Sequence, residues 1–143
     1  MIAVDSGFLY ALMDRDDAWH LRAKRLTETA AEGWITTWPV LTETCHLCHR
    51  SLSPREAIDL MADVADGGLQ VWDIPLAACA RIPALLRQYA SLPMDLADAS
   101  LVLLAEQLGH GRILSTDERD FGAYRWKRHK PFDNLLAELA PGN

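Results

Sequence analysis

The chain has 143 residues, of which 50% are hydrophobic, and it carries a formal net charge of −6 at pH 7. This length and apolar content suit one domain with a single core, and no apolar run reaches the roughly 18 residues that a membrane helix needs. The amino terminus lacks a basic segment followed by an apolar block, so we expect a cytoplasmic protein without a membrane partner. Three cysteines in such a chain do not favour a disulfide framework.

Short strand-like runs alternate with helical periodicities along the chain, a pattern typical of a parallel α/β fold. The clearest helix start is at Ser53, which caps the helix, with Glu56 completing a capping box. Pro83 falls inside an expected helix and predicts a break there. The predicted elements, in chain order, are strand 2–4, helix 6–13, helix 18–32, strand 34–37, helix 39–50, helix 54–66, strand 69–74, helix 75–90, helix 95–108, strand 112–115, a loop with a short turn at 116–121, a short edge strand at 124–127 and a weak helix at 134–139.

These elements predict one domain over residues 1–143. We expect a three-layer α/β/α sandwich with a mostly parallel central sheet of four or five strands.

Four acidic residues lie at the borders of apolar segments spread over the whole chain: Asp5, Glu43, Asp98 and Asp117. Each alone has a structural explanation, because acidic residues are common at helix starts and in turns. Together they are expected at one edge of the sheet, since the ends of parallel strands converge there. Two carboxylates about 5 Å apart at an effective dielectric of about 20 repel each other by roughly 3 kcal/mol. Such a cluster requires protons or a divalent cation, so the sequence predicts a Mg²⁺ or Mn²⁺ site.

The motifs around these acids resemble those of the PIN domain family, which includes the VapC-type toxin ribonucleases. They follow the family's order over nearly the whole chain and are Val4-Asp5-Ser6, Leu41-Thr42-Glu43-Thr44, Leu96-Ala97-Asp98-Ala99-Ser100 and Ser115-Thr116-Asp117, with Phe121 shortly after. The resemblance implies that Asp5, Glu43, Asp98 and Asp117 hold one or two Mg²⁺ or Mn²⁺ ions. It also implies hydrolysis of RNA by a metal-bound water, leaving a 5′-phosphate and a 3′-hydroxyl.

Further residues beside the four acids are candidates for supporting roles. Asp120 follows Asp117 closely and could replace or supplement it. Asp95, one helical turn before Asp98, is expected to cap the helix or to support a ligand. Ser6 and Thr116 carry hydroxyl groups that could orient a water or a carboxylate.

A basic segment near the carboxyl end is a candidate RNA-binding surface, because cations there could contact phosphates. Its members are Arg125, Trp126, Lys127, Arg128, His129 and Lys130. Trp126 could stack on a base or, as an edge-strand aromatic, cover the core. Trp34, Trp38 and Trp72 lie in or beside predicted strands, and we expect them in the core.

The segment from Cys45 to His49 matches Cys-x-x-Cys-His, the attachment pattern of c-type haem. It lies inside a predicted helix of a chain that we expect in the cytoplasm, so the favoured interpretation is that Cys45 and Cys48 pack as small hydrophobic residues. A zinc site would need two further ligands, and the spacing of the remaining cysteine and histidines supports none.

The sequence therefore predicts a metal-dependent endoribonuclease. The resemblance further implies the toxin of a type II toxin–antitoxin pair, which would act on structured RNA, bind an antitoxin protein and form a homodimer. A PIN-fold RNA-binding or regulatory protein with little catalysis is the second interpretation, and a redox or haem protein using Cys45 and Cys48 is the third. The complete set of four acids favours the enzyme.

Overall fold

A five-stranded parallel sheet forms the centre of the protein, for which a computed structural model describes residues 1–139. Its strands are β1 (Ile2–Val4), β2 (Trp34–Thr37), β3 (Leu69–Trp72), β4 (Arg112–Leu114) and β7 (Asp133–Asn134). Their spatial order is β3-β2-β1-β4-β7, and every neighbouring pair is parallel. Two short strands, β5 (Arg125–Trp126) and β6 (Lys130–Pro131), pair separately as an antiparallel hairpin.

Eight helices surround the sheet in the part of the chain that is described, which confirms the α/β/α sandwich expected from the sequence. They are α1 (Ser6–Met13), α2 (His20–Thr29), α3 (Trp38–Ser51), α4 (Pro54–Ala65), α5 (Leu76–Cys79), α6 (Ile82–Gln88), α7 (Leu96–Leu108) and α8 (Glu118–Ala123). Within residues 1–139, none of these helices is both long and apolar enough to cross a bilayer.

Helix α7 is the central helix of the core. Buried residues lie on all of its sides, including Ala97 and the whole run 99–105, which is the pattern of a helix enclosed by other elements. It packs against α3, α6 and β2. Gly109 ends the helix in the left-handed conformation, with φ of 78°, where a residue without a β-carbon is favoured.

Most elements begin and end close to their predicted positions, and the exceptions have local causes. The capping box of Ser53 and Glu56 is present at the start of α4. The expected break near Pro83 is also present, because the chain forms α5 and α6 as separate helices, with Pro83 in the first turn of α6. The loop expected at 116–121 contains the start of α8.

The weak helix predicted at 134–139 is wrong. Asp133 and Asn134 pair with Arg112 and Ile113 as the fifth strand, and residues 135–138 form a turn. The side-chain amide of Asn134 extends this pairing, since it donates to the carbonyl of Ser115 at 2.9 Å and accepts from the amide of Ser115 at 3.2 Å. The edge strand predicted at 124–127 is present as β5, although it pairs in the hairpin and not in the main sheet.

The strand order places a crevice beside β1. The chain runs from β1 through β2 to β3 on one side of the sheet and then crosses to β4 on the other side of β1. In open parallel sheets, such a switch point at the carboxyl ends of the strands is where ligands bind. The segments that follow β1 and β4 meet there, and the amide of Asp5 donates to the carbonyl of Leu114 at 3.0 Å.

Candidate active site

A pocket of about 300 Å³ lies at the carboxyl edge of the sheet, in the crevice between β1 and β4. It is lined by all six acidic residues singled out in the sequence and by both hydroxyl residues: Asp5, Glu43, Asp95, Asp98, Asp117, Asp120, Ser6 and Thr116. We call these six carboxylates and their surroundings the acidic pocket. The convergence expected from the parallel topology is therefore present, with contributions from the loops after β1 and β4 and from helices α3, α7 and α8.

Asp5 lies deepest in the acidic pocket, with 6% of its surface exposed. One carboxylate oxygen accepts from the amide of Ser6 at 2.7 Å, which caps α1, and the other accepts from the hydroxyl of Ser115 at 2.9 Å. Burial raises the pKa of Asp5 to about 6, although the two hydrogen bonds lower it. The negative charges of Asp117 and Asp95 raise it further. Asp5 thus caps a helix and also directs a carboxylate into the pocket.

Glu43 reaches the pocket from the second turn of α3, and the hydroxyl of Ser6 connects it to Asp5. This hydroxyl lies 3.0 Å from the Glu43 carboxylate and 3.4 Å from that of Asp5. Burial is the main cause that raises the pKa of Glu43, and the neighbouring Asp95 carboxylate is the next. The Ser6 hydroxyl therefore lies between two carboxylates of the pocket.

Asp98 and Asp95 form a reciprocal capping box at the start of α7. The Asp95 carboxylate accepts from the amide of Asp98 at 2.8 Å, and the Asp98 carboxylate lies 3.4 Å from the amide of Asp95. The Tyr124 hydroxyl donates to Asp98 at 3.1 Å. Burial raises the pKa of Asp98 to about 8, with further contributions from the charges of Asp95 and Asp5. Burial beside this carboxylate raises the pKa of Tyr124 as well.

Asp117 and Asp120 both line the pocket from the loop after β4 and the first turn of α8. The Asp117 carboxylate caps α8 by accepting from the amide of Asp120 at 3.0 Å, and the amide of Asp117 donates to the hydroxyl of Ser115. Burial raises the pKa of Asp117. Asp120 is buried, and the guanidinium of Arg119 donates to it at 3.2 Å. Both carboxylates therefore lie at the position expected for the fourth acid.

The donor set of the acidic pocket fits a hard divalent cation. Its polar side chains present carboxylate and hydroxyl oxygens, which Mg²⁺ and Mn²⁺ prefer, and the raised pKa values of Asp5 and Asp98 reflect crowded, desolvated negative charge that a cation would neutralise. Among residues 1–139, however, no three acidic, histidine or cysteine side chains are already arranged to hold one ion. One carboxylate oxygen of Asp98 and one of Asp117 accept from backbone amides at helix starts, at 3.4 and 3.0 Å.

The chain matches the family model of the PIN domain over residues 2–127. The protein belongs to the PIN domain family. Its fold is similar to that of the crystal structure of the Mycobacterium tuberculosis toxin VapC20, which is described as cleaving the sarcin–ricin loop. The two chains are 24% identical, with a TM-score of 0.76, and the similarity covers 83% of this chain and 92% of VapC20. No curated protein matches the chain.

The tip of the basic segment lies away from the acidic pocket of this PIN domain, whereas Arg125 at its start directly follows Tyr124, whose hydroxyl contacts Asp98. The tip is anchored to the last turns of α7, where the amide of Lys127 donates to Glu106 at 2.7 Å and Glu106 pairs with Arg81. Glu106 is eight residues after Asp98, or about 12 Å farther along the helix axis. The segment also contacts Gly111, which precedes β4, whereas the acidic pocket lies after the end of β4. The hairpin is thus at the opposite edge of the sheet.

Trp126 is not available for stacking on a base. It is 6% exposed, and its indole N–H donates to the carbonyl of Pro131 at 3.0 Å. The ammonium groups of Lys127 and Lys130 lie 5.8 and 5.0 Å from its ring centre. Of the two interpretations of Trp126 that the sequence left open, its burial favours an aromatic that covers the core.

Trp38 is more exposed than the sequence predicted. Trp34 and Trp72 are partly buried and pack against the core, as expected, but Trp38 is 46% exposed. It is the first residue of α3 and lies beside the acidic pocket. Its sequence position next to β2 did not reveal this, because the pattern of a strand does not show which distant segments pack over the residue that follows it.

Ser115 and Tyr124 are functional candidates that the sequence motifs did not identify. Ser115 connects Asp5 to the Asp117 loop, and Tyr124 fixes the carboxylate of Asp98. Ser115 belongs to the motif that ends at Asp117, although it was given no role there, whereas Tyr124 had no signal in the sequence. Thr116, the predicted hydroxyl, instead packs against Gly7, where an added β-carbon would lie 2.1 Å from the threonine oxygen.

The Cys-x-x-Cys-His segment is part of the continuous helix α3. Cys48 is buried and Cys45 is partly buried, and both are free thiols whose pKa values are raised by burial. These features agree with packing as small hydrophobic residues.

Proposed function

We propose that the protein is a metal-dependent endoribonuclease that hydrolyses RNA phosphodiester bonds. The observation that carries the proposal is the gathering of six carboxylates in one pocket at the switch point of the sheet, with Asp5 almost fully buried. Membership in the PIN domain family and the description of VapC20 as a toxin that cleaves the sarcin–ricin loop support it. Asp5, Asp95 and Asp117 also cap helices, but capping does not require their charges to gather in one pocket, where like charges destabilise the fold unless they are neutralised.

Asp5, Glu43, Asp98 and Asp117 would hold Mg²⁺ or Mn²⁺, with Asp120 as a substitute for or addition to Asp117. The bound ion would supply an acidified water and neutralise charge on the phosphodiester. Asp5 is held in place by Ser115 and by the amide of Ser6. The Ser6 hydroxyl keeps Glu43 close to Asp5.

We further propose that the protein acts as the toxin of a toxin–antitoxin pair in the cytoplasm, with structured RNA as its substrate, an antitoxin protein as its partner and a homodimer as its assembly. The description of VapC20 as a toxin supports the first part. An acidic pocket of this kind would attract an arginine side chain from an inhibiting partner through charge-assisted hydrogen bonds.

A PIN-fold RNA-binding protein with little catalysis is the second candidate. It is favoured by one observation, namely that Asp98 and Asp117 are engaged as helix caps and no three carboxylates are pre-arranged around one position in residues 1–139.

Substitution of the two firmest ligands separates these candidates. Asp5→Asn and Asp98→Asn should each reduce Mn²⁺-dependent RNA cleavage by about a hundredfold or more, since even outer groups that only support a metal ligand contribute about 10- to 100-fold. Cleavage would be followed on gels with total RNA, with and without EDTA, and folding by circular dichroism. Asp59→Asn, an exposed carboxylate on α4, is the matched control and should retain full activity.

Cleavage that persists in both variants and in EDTA would contradict a metal-dependent enzyme. RNA binding without any cleavage by the wild-type protein in Mg²⁺ or Mn²⁺ would instead favour the second candidate.

A further inference from the structure

A largely apolar groove of about 650 Å³ runs directly beside the acidic pocket. Trp38 and Leu96 line it and are 46% and 50% exposed, although both are large hydrophobic residues. Glu43 and Asp95 belong to both the groove and the acidic pocket, so the two are continuous. A ligand whose charged part lay among the acids and their cation would therefore extend its adjacent part along Trp38.

The indole of Trp38 is held in a fixed orientation. Its N–H donates to the carboxylate of Asp73 at 2.6 Å, and the preceding residue, Thr37, caps α3 and is hydrogen-bonded to Ser100 of α7 at 2.6 Å. The polar edge of the indole is thus already satisfied, and what Trp38 offers to the groove is the aromatic ring. Holding the ring in advance reduces the entropy that a ligand would lose when it stacks.

The character of the groove selects the kind of group that fits it. An anionic phosphate is disfavoured there, because the charged side chains at its border include the carboxylates of Glu43 and Asp95. A flat, uncharged aromatic group gains from burial against both Trp38 and Leu96. In a nucleic acid that group is a base, and it must be unpaired for its face to reach the indole.

We propose that Trp38 is a stacking platform for an unpaired nucleobase next to the phosphodiester in the acidic pocket. This inference rests on the proposed nuclease function and makes Trp38 a residue that determines which phosphodiester enters the site. A base-paired strand would not place a base on Trp38, so the protein would select single-stranded or looped positions within a structured RNA.

Two substitutions of similar size separate stacking from simple apolar contact. Trp38→Phe keeps an aromatic face, whereas Trp38→Leu keeps apolar volume without a ring. The probes are a fluorescein-labelled octaadenylate RNA and an octamer of the same backbone with abasic positions, titrated by fluorescence anisotropy with Ca²⁺ in place of Mg²⁺, with the RNA checked for integrity on gels. Leu76→Ala, at an 88%-exposed leucine on α5, is the apolar control.

We expect Trp38→Leu to raise the dissociation constant for octaadenylate about tenfold and Trp38→Phe to raise it much less, because stacking of one base contributes roughly 5- to 150-fold in affinity. The abasic octamer should bind about as weakly to the wild type as octaadenylate binds to Trp38→Leu. Octaadenylate should also quench tryptophan fluorescence in the wild type, and this quenching should be lost in Trp38→Leu. Leu76→Ala should match the wild type.

Equal affinity of wild type and Trp38→Leu for octaadenylate, or equal affinity of the wild type for the two octamers, would overturn the stacking role while the cleavage test of Asp5→Asn still stood. A change of oligomeric state in Trp38→Leu, measured by sedimentation velocity, would also overturn it, because the groove would then be a contact between copies of this chain. Failure of the wild type both to cleave RNA and to bind either octamer would reject the proposed function together with this inference.

Discussion

At the scale of single residues, Asp5 combines two roles that the sequence presented as alternatives. It caps α1 through the amide of Ser6, and it is also the most buried carboxylate of the acidic pocket. The cap holds one oxygen and the Ser115 hydroxyl holds the other, so the side chain has little freedom to turn away. A residue that is fixed in this way is suited to bind an ion with a defined geometry.

The buried Asp5 carboxylate predicts a loss of stability as the pH rises in the absence of metal. Burial raises the pKa of Asp5 in the folded protein to about 6, from its ordinary value of 3.8. Between these two pH values the folded protein binds more protons than the unfolded chain. The free energy of unfolding therefore falls by about 3 kcal/mol in total as the pH rises through this range. Asp5→Asn removes the ionisable group and with it this loss of stability. In EDTA, we expect the variant to have a higher melting temperature than the wild type at pH 8, and the difference to shrink towards pH 4.

Addition of Mg²⁺ at pH 8 should reverse this order, because the ion stabilises only a folded state that binds it. Thermal unfolding in EDTA and in Mg²⁺, at both pH values, measures both effects. A wild type that is more stable than Asp5→Asn at pH 8 in EDTA would show that Asp5 is stabilising without a cation.

Trp38 and Trp126 mark the limit of what individual residues reveal in a sequence. The sequence predicted Trp38 in the core and left two interpretations of Trp126 open, stacking on a base or covering the core, whereas Trp38 is exposed and Trp126 is buried. Both lie next to strands, and local pattern describes only the strand itself. Whether a ring is covered depends on which distant segment packs over it, and for Trp126 that includes Pro131 and Gly111.

At the scale of elements, the start of α7 shows how a helix cap and a binding site share the same side chains. Asp95 caps the helix, and its charge is also a cause of the raised pKa of Asp98, Glu43 and Asp5. The expectation that Asp95 caps this helix agrees with the structure, because Asp is favoured at the N-cap position. The reciprocal contact from Asp98 is long, at 3.4 Å, so Asp98 can leave it for an ion at little cost.

Two substitutions of Asp95 distinguish a cap from a metal ligand. Asp95→Ser keeps a capping oxygen without the charge, and Asp95→Ala removes both. We expect Asp95→Ala to be less stable than Asp95→Ser by about 1 kcal/mol in urea unfolding, which is the usual worth of an N-cap. Both variants should bind Mg²⁺ with similar, moderately reduced affinity in calorimetry. Loss of Mg²⁺ binding in Asp95→Ser to the degree expected for Asp98→Asn would make Asp95 a direct ligand.

The carboxyl-terminal strand shows why one element was mispredicted. A strand of two residues is too short to show the alternation of apolar and polar residues that identifies a strand. The apolar residues that follow Asn134 have a spacing that is also typical of a helix. What selects the strand is the free edge of β4 and the side-chain amide of Asn134, which bonds to the backbone of Ser115. Neither is visible within the segment itself.

At the scale of the whole molecule, the parallel topology is what made the site predictable. Strand ends and helix starts converge on one edge regardless of their distance along the chain, so four acids separated by up to 112 positions, from Asp5 to Asp117, could be assigned to one place from the sequence. The orientation of each carboxylate could not, because it depends on partners such as Ser115 and Tyr124. The same topology separates charge, since the acidic pocket lies after β4 and the basic hairpin lies against the residue before it.

This separation of charge predicts that the hairpin acts only on long RNA. Lys127 and Arg128 form its tip with positive φ values of 44° and 69°, a conformation that asparagine tolerates better than most residues, so the triple variant Lys127→Asn, Arg128→Asn and Lys130→Gln should keep the turn. Each phosphate contact with a single strand contributes about 0.7 to the slope of the logarithm of the binding constant against the logarithm of the salt concentration. If the three cations contact phosphates of a structured substrate, the variant should bind a long RNA with a slope that is less steep by about 2.

Binding of a dinucleotide to the same variant should be unchanged, because at about 3.4 Å per nucleotide a dinucleotide in the acidic pocket is too short to reach the tip of the hairpin. The control is Lys24→Gln with Arg25→Gln on α2, which removes two positive charges, one fewer than the hairpin variant, from a helix that lines neither the pocket nor the groove. Equal weakening of both RNAs by the hairpin variant would mean that the net charge of the molecule, and not a contact at the hairpin, determines affinity. No effect on either RNA would leave the hairpin as a solvated turn whose lysines cover Trp126.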